Sequence, residues 1–419
     1  MNKPIVLDYP PRGCEVCGSG NTRALYPQRF VTMSDGSLFS GYDVVACDEC
    51  GHCYADHLPP QEVFDRYYRD MSKYEMPANG LHSGPPEHDV TRFKRLAGTF
   101  QRFMPNRTAK LLEIGCANGL LLSELKDAGY RDVLGLDPSP MCARVANDRY
   151  GVTVITGAIS DTLPGVGPVD VLILIGVMEH IRDLHAALTK MSDLLEPGGK
   201  VFIVVPDASM YAAGDDAPFQ EFSMEHINYF GPGCLSNLMA RRGFSTLLME
   251  QGMQPGSADT VTPVLFAVFE KLPAGHSLPW EKDCVTAAGL DRYIAKSIRD
   301  DSVVQHAISA LADSRRPIII WGAGTHTLRL LATSRLAEAN LVAFVDSNPR
   351  YQGKSINGLP IVGPAALAGM DGAILISSRP AQHVIQRAIT DQLRLPNEVI
   401  TLYRRDQSTD QATLGTDFN

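Results

Sequence analysis

No stretch of this sequence is apolar for long enough to cross a bilayer. The longest apolar run, residues 169–178 (VDVLILIGVM), is broken by Asp170 and Gly176 and falls far short of the roughly 20 residues a spanning helix needs. It reads as a buried strand. The N-terminal MNKPIVLDYPPRGCEVC lacks the continuous apolar core of a secretory signal, having an acid and prolines in its place. A cytoplasmic protein without a membrane partner is expected. Positive charge is also scarce. With 38 Lys+Arg against 47 Asp+Glu, the formal net charge is −9, and no basic run offsets it. A phosphate-backbone footprint needs clustered lysine and arginine, so nucleic acid is not an expected partner. No internal repeat of solenoid type is present.

What is present is ordinary globular composition, 44% hydrophobic and 20% charged over 419 residues, enough for two or three cored domains. Of nine cysteines, four form two CxxC pairs, Cys14 with Cys17 and Cys47 with Cys50, each followed directly by a glycine, Gly18 and Gly51. In a chain without an export signal, thiolate ligands are the better reading than disulfides. Two such knuckles suit one tetrahedral Zn2+, and four protein ligands leave no open position, so the ion is expected to be structural. A redox CxxC would open a thioredoxin-like βα unit, which neither pair does. Cys53 is left over.

The chain divides into a zinc-binding module at 1–60 closed by Pro59-Pro60, a second unit at 61–271, a third at 272–405 and a polar tail at 406–419 expected to be disordered. The second unit begins with a helical lead-in broken by a Gly/Pro-rich segment at 79–86, which would suit a lid. From Lys110 onward, apolar strands alternate with amphipathic helices (AKLLEIG, DVLGLD, VTVITG, VDVLILIGV, KVFIVVP), and GFSTLLMEQ and TPVLFAVFEK add two more strands. The pattern predicts an α/β fold with a seven-stranded, mostly parallel sheet. PIIIWGAGTHTLRLLA, LVAFVD and GAILISS predict a smaller α/β unit behind it.

In LLEIGCANG, Glu113 and Gly115 end a strand and Gly119 opens the next helix. Such a turn lets the amino-acid end of a cofactor approach the backbone at Cys116 and Asn118. Asp137, followed by Pro138, ends the next strand 22 positions after Gly115, where a carboxylate can hold a ribose diol. A nicotinamide site would need GxGxxG, whereas the pattern here is ExGxxxG. It resembles motif I of class I S-adenosyl-L-methionine-dependent methyltransferases. ILIGVMEHI, with Gly176, and LLEPGGKVFIVVP resemble the fourth strand and the fifth-strand turn of that class. The resemblance implies that S-adenosylmethionine also meets Ala158 and Ile159, where many members have an acid; Asp161 would be a weak substitute.

Two Glu-His pairs stand near the strand ends. In FQEFSMEHINYF (219–230), His226 is the candidate general base, with Glu225 or another acid orienting its ring and Tyr229 nearby. The plainer alternative is that this pair only packs the loop. Glu179-His180 follows the fourth strand, and His180 either contacts substrate or closes the adenine pocket.

In this order the units resemble the three-domain sugar C-methyltransferases of deoxysugar biosynthesis, with a zinc-binding N-terminal module, a class I methyltransferase core and a C-terminal Rossmann-like α/β domain. The resemblance implies a small-molecule partner, a nucleotide-linked ketosugar, deprotonated beside its ketone to an enolate. Ser223 stands where that family has a tyrosine, which keeps O- or N-methylation of a sugar or secondary metabolite as the rival. In the C-terminal turn Thr327 replaces a third glycine after Gly322 and Gly324, and Asp346 either holds a ribose or caps its turn. A monomer or homodimer is expected.

Overall fold

The computed structural model describes residues 9–34, 37–71, 85, 87–163, 165–257, 259–273, 275 and 278–403. The expected lid at 79–86, apart from Pro85, and the tail at 406–419 lie outside the described residues. In chain order the elements are β1 (Thr22–Arg29), β2 (Gly41–Cys47), β3 (Cys53–Asp56), α1 (Gln61–Met71), α2 (Glu87–Phe103), β4 (Lys110–Ile114), α3 (Leu120–Asp127), β5 (Asp132–Asp137), α4 (Pro140–Tyr150), β6 (Val154–Thr156), β7 (Val169–Ile175), α5 (Leu184–Leu194), β8 (Leu195–Pro206), β9 (Asn228–Tyr229), α6 (Pro232–Ala240), β10 (Phe244–Pro255), β11 (Val261–Lys271), α7 (Val285–Ser314), β12 (Ile318–Trp321), α8 (Thr325–Thr333), β13 (Leu341–Val345), β14 (Ser355–Ile356), β15 (Leu359–Val362), β16 (Ala373–Ile376), α9 (Gln382–Arg387) and β17 (Val399–Thr401). Among the described residues no helix is long and apolar enough to cross a membrane.

The central sheet has the order β10-β11-β8-β7-β4-β5-β6. β4 runs parallel to β5 and β7, and β7 parallel to β8, while β11 is antiparallel to both β8 and β10. The run Val171–Leu174 is buried on both faces, as strands covered by helices on each side must be. Helix boundaries follow local chemistry. Ser139 caps α4 by accepting the Cys142 N–H, Pro140 fills the first turn, and Gly151 ends the helix at φ 59°. This cap also fixes the turn after Asp137.

The first sixty residues do not close a core of their own. β1, β2 and β3 form an antiparallel meander whose fourth strand, β9, comes from residues 228–229. Phe30, Tyr42 and Phe64 pack in one cluster with Phe222 and Tyr229, with Tyr293 and Ile308 of α7, and with Leu328 and Phe344 of the C-terminal unit. Arg12 ties the segment further: its buried guanidinium donates to the Ile227 carbonyl and to Asn228 Oδ1, each at 2.9 Å.

Gly51, at φ 81°, lies so close to the Asp283 carbonyl that a Cβ would stand 1.8 Å from its oxygen. Gly51→Ala is therefore expected to destabilise the protein by more than about 1 kcal/mol, read as a lower urea midpoint. An unchanged midpoint would mean that the 283 loop yields freely.

The C-terminal unit is a six-stranded sheet, β14-β15-β13-β12-β16-β17, parallel except for the β14–β15 hairpin. The 30-residue helix α7 joins it to the central unit. Along its length lie Tyr293 and Ser297, bonded to the 219–221 loop, and Asp301, paired at 2.6 Å with the buried Arg329 of α8.

Candidate functional site

At the carboxyl edge of β4 the chain turns through Gly115 at φ 69°, where a Cβ would meet Val177 Cγ2 at 2.6 Å, and through Ala117 at φ 44°. This turn aims the Ala117 N–H at Asp137 Oδ2, and the Ser139 N–H reaches Oδ1, both at 2.9 Å. The carboxylate is thus held rigid at the end of β5. A carboxylate oxygen can accept more than one hydrogen bond, the chemistry a vicinal diol needs. Beside it opens an apolar pocket of about 120 Å3 that includes Pro138, Ala158, Ile159, Gly176 and Val177. Asp161 does not line this pocket; its carboxylate accepts the Ala158 N–H at 2.8 Å.

A second cleft of about 480 Å3 includes Glu113, Cys116, Asn118, Glu179 and His226, and it shares Gly115, Gly176 and His180 with the apolar pocket. Glu113 is buried, its Oε2 has no hydrogen-bond partner among the described residues, and burial, then the nearby Asp137, pushes its carboxyl well above the usual range. A cofactor with an apolar base, a ribose diol and a cationic amino-acid end fits this arrangement of slot, carboxylate clamp and orphaned acid. Gly119, between the cleft residues Asn118 and Leu120, starts α3 at φ 74°, and a Cβ there would stand 3.0 Å from Ala146.

The two Glu-His pairs converge. Ile227 N–H donates to the Glu179 carbonyl at 2.8 Å, and Asn228 Nδ2 donates to the carbonyls of Met178 and Ile181. The imidazoles of His180 and His226 meet edge to face with centroids 5.1 Å apart. One polar atom from each of Glu179, His180 and His226 falls within 4.8 Å of the others. His180 Nδ1 lies 2.8 Å from the Glu225 carbonyl and 3.1 Å from the Tyr68 hydroxyl.

Two expected roles change. The Glu225 carboxylate accepts from Tyr67 at 3.0 Å, and the carboxylate facing His226 Nδ1 is that of Glu221, at 3.5 Å. Tyr229 is fully buried, away from both cavities; its hydroxyl donates to Tyr42, which donates to the Ser223 carbonyl. Tyr229 lies on β9, the edge strand of the four-stranded sheet, with its ring in the core, and so supports the loop from behind. Ser223 Oγ accepts the N–H groups of Glu225 and His226 at 3.2 and 3.0 Å, a local turn a bulky side chain could not make. Sequence reasoning had missed Glu221, Tyr67 and Tyr68.

Next to this loop, burial raises the Asp216 carboxyl from 3.8 to about 7, against the opposing Ala217 N–H bond. The folded state therefore holds this proton more tightly than the unfolded chain. Its contribution to stability is full below about pH 4 and is lost as pH rises through about 7. Asp216→Asn should flatten the stability curve between those values and leave the variant more stable than wild type above pH 7, by urea unfolding. Coincident curves would contradict this.

The four cysteines gather as well. Cys14 and Cys50 sulfurs lie 3.5 Å apart, as do those of Cys17 and Cys47, and all four fall within 4.8 Å of one another. A tetrahedron of thiolates about 2.3 Å from a metal has edges of about 3.8 Å, so the donors fit such an ion. Cys53 stays outside, on β3. The knuckle also braces the site: Glu15 accepts from Arg182 at 3.1 Å and from the His185 N–H at 3.3 Å.

In the C-terminal unit, Asp346 repeats the Asp137 geometry. Its Oδ2 accepts from Ala323 and its Oδ1 from Asn348, both N–H bonds at 2.8 Å. Thr327 is fully buried and its hydroxyl donates to Ser377 Oγ at 2.8 Å, at a crossing where a Cβ on Gly322 would stand 2.9 Å from the Ser377 carbonyl oxygen.

Residues 88–248 match a family model described as a methyltransferase domain. The tRNA U34 carboxymethyltransferase of Cellvibrio japonicus is 27% identical over 143 residues, 32% of this chain and 44% of the relative. The ubiquinone biosynthesis O-methyltransferase of Cereibacter sphaeroides is 33% identical over 115 residues, 25% of this chain and 46% of the relative. The chain spans less than half the length of these relatives. The PH0226 protein of Pyrococcus horikoshii is a structural neighbour at 20% identity and TM-score 0.37, covering 49% of this chain and 98% of its own.

Proposed function

We propose that the protein is an S-adenosylmethionine-dependent methyltransferase that methylates carbon beside the ketone of a nucleotide-linked sugar or a similar small carbonyl compound. The observation that carries this reading is the meeting of Glu179, His180 and His226 on the cleft that adjoins the Asp137 pocket. S-adenosylmethionine supplies an electrophilic methyl group. Asp137 would hold its ribose, Pro138, Ala158 and Ile159 would line the slot for the base, and Glu113 would face the amino-acid end. His226 takes the proton from the acceptor carbon, because a C–H bond is no nucleophile until it is deprotonated, and the electron pair moves into the enolate. His180, on the wall common to both cavities, positions the acceptor against the cofactor. The Asp346 clamp supports a nucleotide on the acceptor, held by the C-terminal unit.

The test is exchange of the hydrogen beside the ketone with D2O, for nucleotide-linked ketosugars incubated with enzyme but no cofactor. Exchange that disappears in His226→Ala is expected. A bound ketosugar that shows no exchange would favour the O- or N-methylation rival, which the Ser223 loop also supports, since that loop offers no phenol next to the acceptor.

The cysteine cluster is read as a structural Zn2+ site. One zinc per chain is expected in native mass spectrometry. Cys50→Ser should lose it with a fall in melting temperature of roughly 10 °C or more. Retention of the metal by that variant would contradict the assignment.

A further inference from the structure

We propose that Glu221 is the positioning partner of His226, and that helix α7 of the C-terminal unit holds it there. The inference rests on the proposed role of His226 as proton acceptor. Glu221 is nearly buried, at 9% exposure, and its Oε2 lies 3.5 Å from His226 Nδ1. Around the same ring, Glu179 Oε1 lies 3.8 Å from His180 Nε2, the Glu225 carboxylate accepts from Tyr67, and His180 Nδ1 meets Tyr68 and the Glu225 carbonyl. Glu221 Oε2 is the carboxylate oxygen at ion-pair distance from Nδ1.

The segment that carries both residues is pinned at each end. At its start, Phe219 adopts φ 59°, a left-handed conformation that costs a non-glycine residue about 1 kcal/mol or more and persists only where packing enforces it. Its ring stacks on Tyr26 at 4.4 Å, and the Arg329 guanidinium lies 5.2 Å from its centroid. Its N–H donates to Ser297 Oγ at 3.2 Å, and the Glu221 N–H donates to the Tyr293 hydroxyl at 3.0 Å, both acceptors on α7. At its end, Ser223 caps the amides of Glu225 and His226. The strained turn and the two α7 bonds set the Glu221 side chain against the imidazole.

A carboxylate at ion-pair distance from Nδ1 favours the tautomer with hydrogen on that nitrogen, which leaves Nε2 to accept the proton. The acceptor's proton passes to Nε2, and the imidazolium so formed is stabilised by the Glu221 charge.

The experiment uses full-length protein labelled with 15N-histidine, the His226 signals being identified by their loss in His226→Gln. In wild type the neutral ring should be the Nδ1–H tautomer. Glu221→Gln should move the His226 titration midpoint down by about one pH unit, Glu221→Asp by less, and Ser297→Ala in the same direction. A midpoint and tautomer unchanged in both Glu221 variants would overturn the proposal. So would loss of the His226 titration on adding Zn2+ or Mn2+ beyond the one ion per chain expected at the cysteines, because the ring would then be a metal ligand. None of these readouts needs cofactor or acceptor, so failure of the methyltransferase reading would appear separately, as absence of cofactor binding.

Discussion

Asp137→Ala is expected to weaken S-adenosylmethionine binding by at least about a hundredfold. The carboxylate would give up two charge-assisted bonds to the ribose, each contributing about 1.5–3 kcal/mol. The substitution also strips the acceptors from the Ala117 and Ser139 N–H groups, so the turn between β4 and α3 loosens as the diol contact is lost. Asp137→Asn keeps one carbonyl acceptor and should fall between the two. Titration calorimetry at constant salt measures both, with thermal unfolding as a check that the fold survives. Wild-type affinity in Asp137→Ala would mean that the diol is held elsewhere.

His226→Ala should act on a different quantity. His226 stands outside the apolar pocket that holds Asp137, so cofactor affinity should fall far less than in Asp137→Ala while turnover falls by about 10²–10⁴-fold, the usual contribution of a general base. His180→Ala offers the contrast. That side chain lies on both walls, and its loss should change cofactor affinity and turnover together. Steady-state kinetics with an acceptor identified by the exchange assay separates the two patterns. Undiminished turnover in His226→Ala would remove it from the chemistry.

The parts of the site that were legible in the sequence are those carried by short local patterns. The CxxC-Gly knuckles, the ExGxxxG turn and Asp137 each lie within one strand-turn unit, where neighbouring residues in sequence are neighbours in space. The seven strands of the central sheet were readable for the same reason, as apolar runs alternating with amphipathic helices. Partners brought together from far along the chain were not. Tyr67 meets Glu225 across 158 residues and Tyr68 meets His180 across 112, and no periodicity couples such positions. Glu221 lies only five positions before His226, but a loop has no repeating geometry from which to tell which of its acids faces the ring. Tyr229 shows the converse error. Its place in a polar motif suggested the cleft, while pairing with Cys53 in the N-terminal sheet turned it into the core.

The central claim is that the Asp137 pocket and the cleft beside it hold S-adenosylmethionine. Native mass spectrometry of the full-length protein, with and without that cofactor, tests it most directly. The account predicts one S-adenosylmethionine per chain, abolished by Asp137→Ala and retained by His226→Ala. No binding at millimolar cofactor, in a protein shown to be folded, would contradict it.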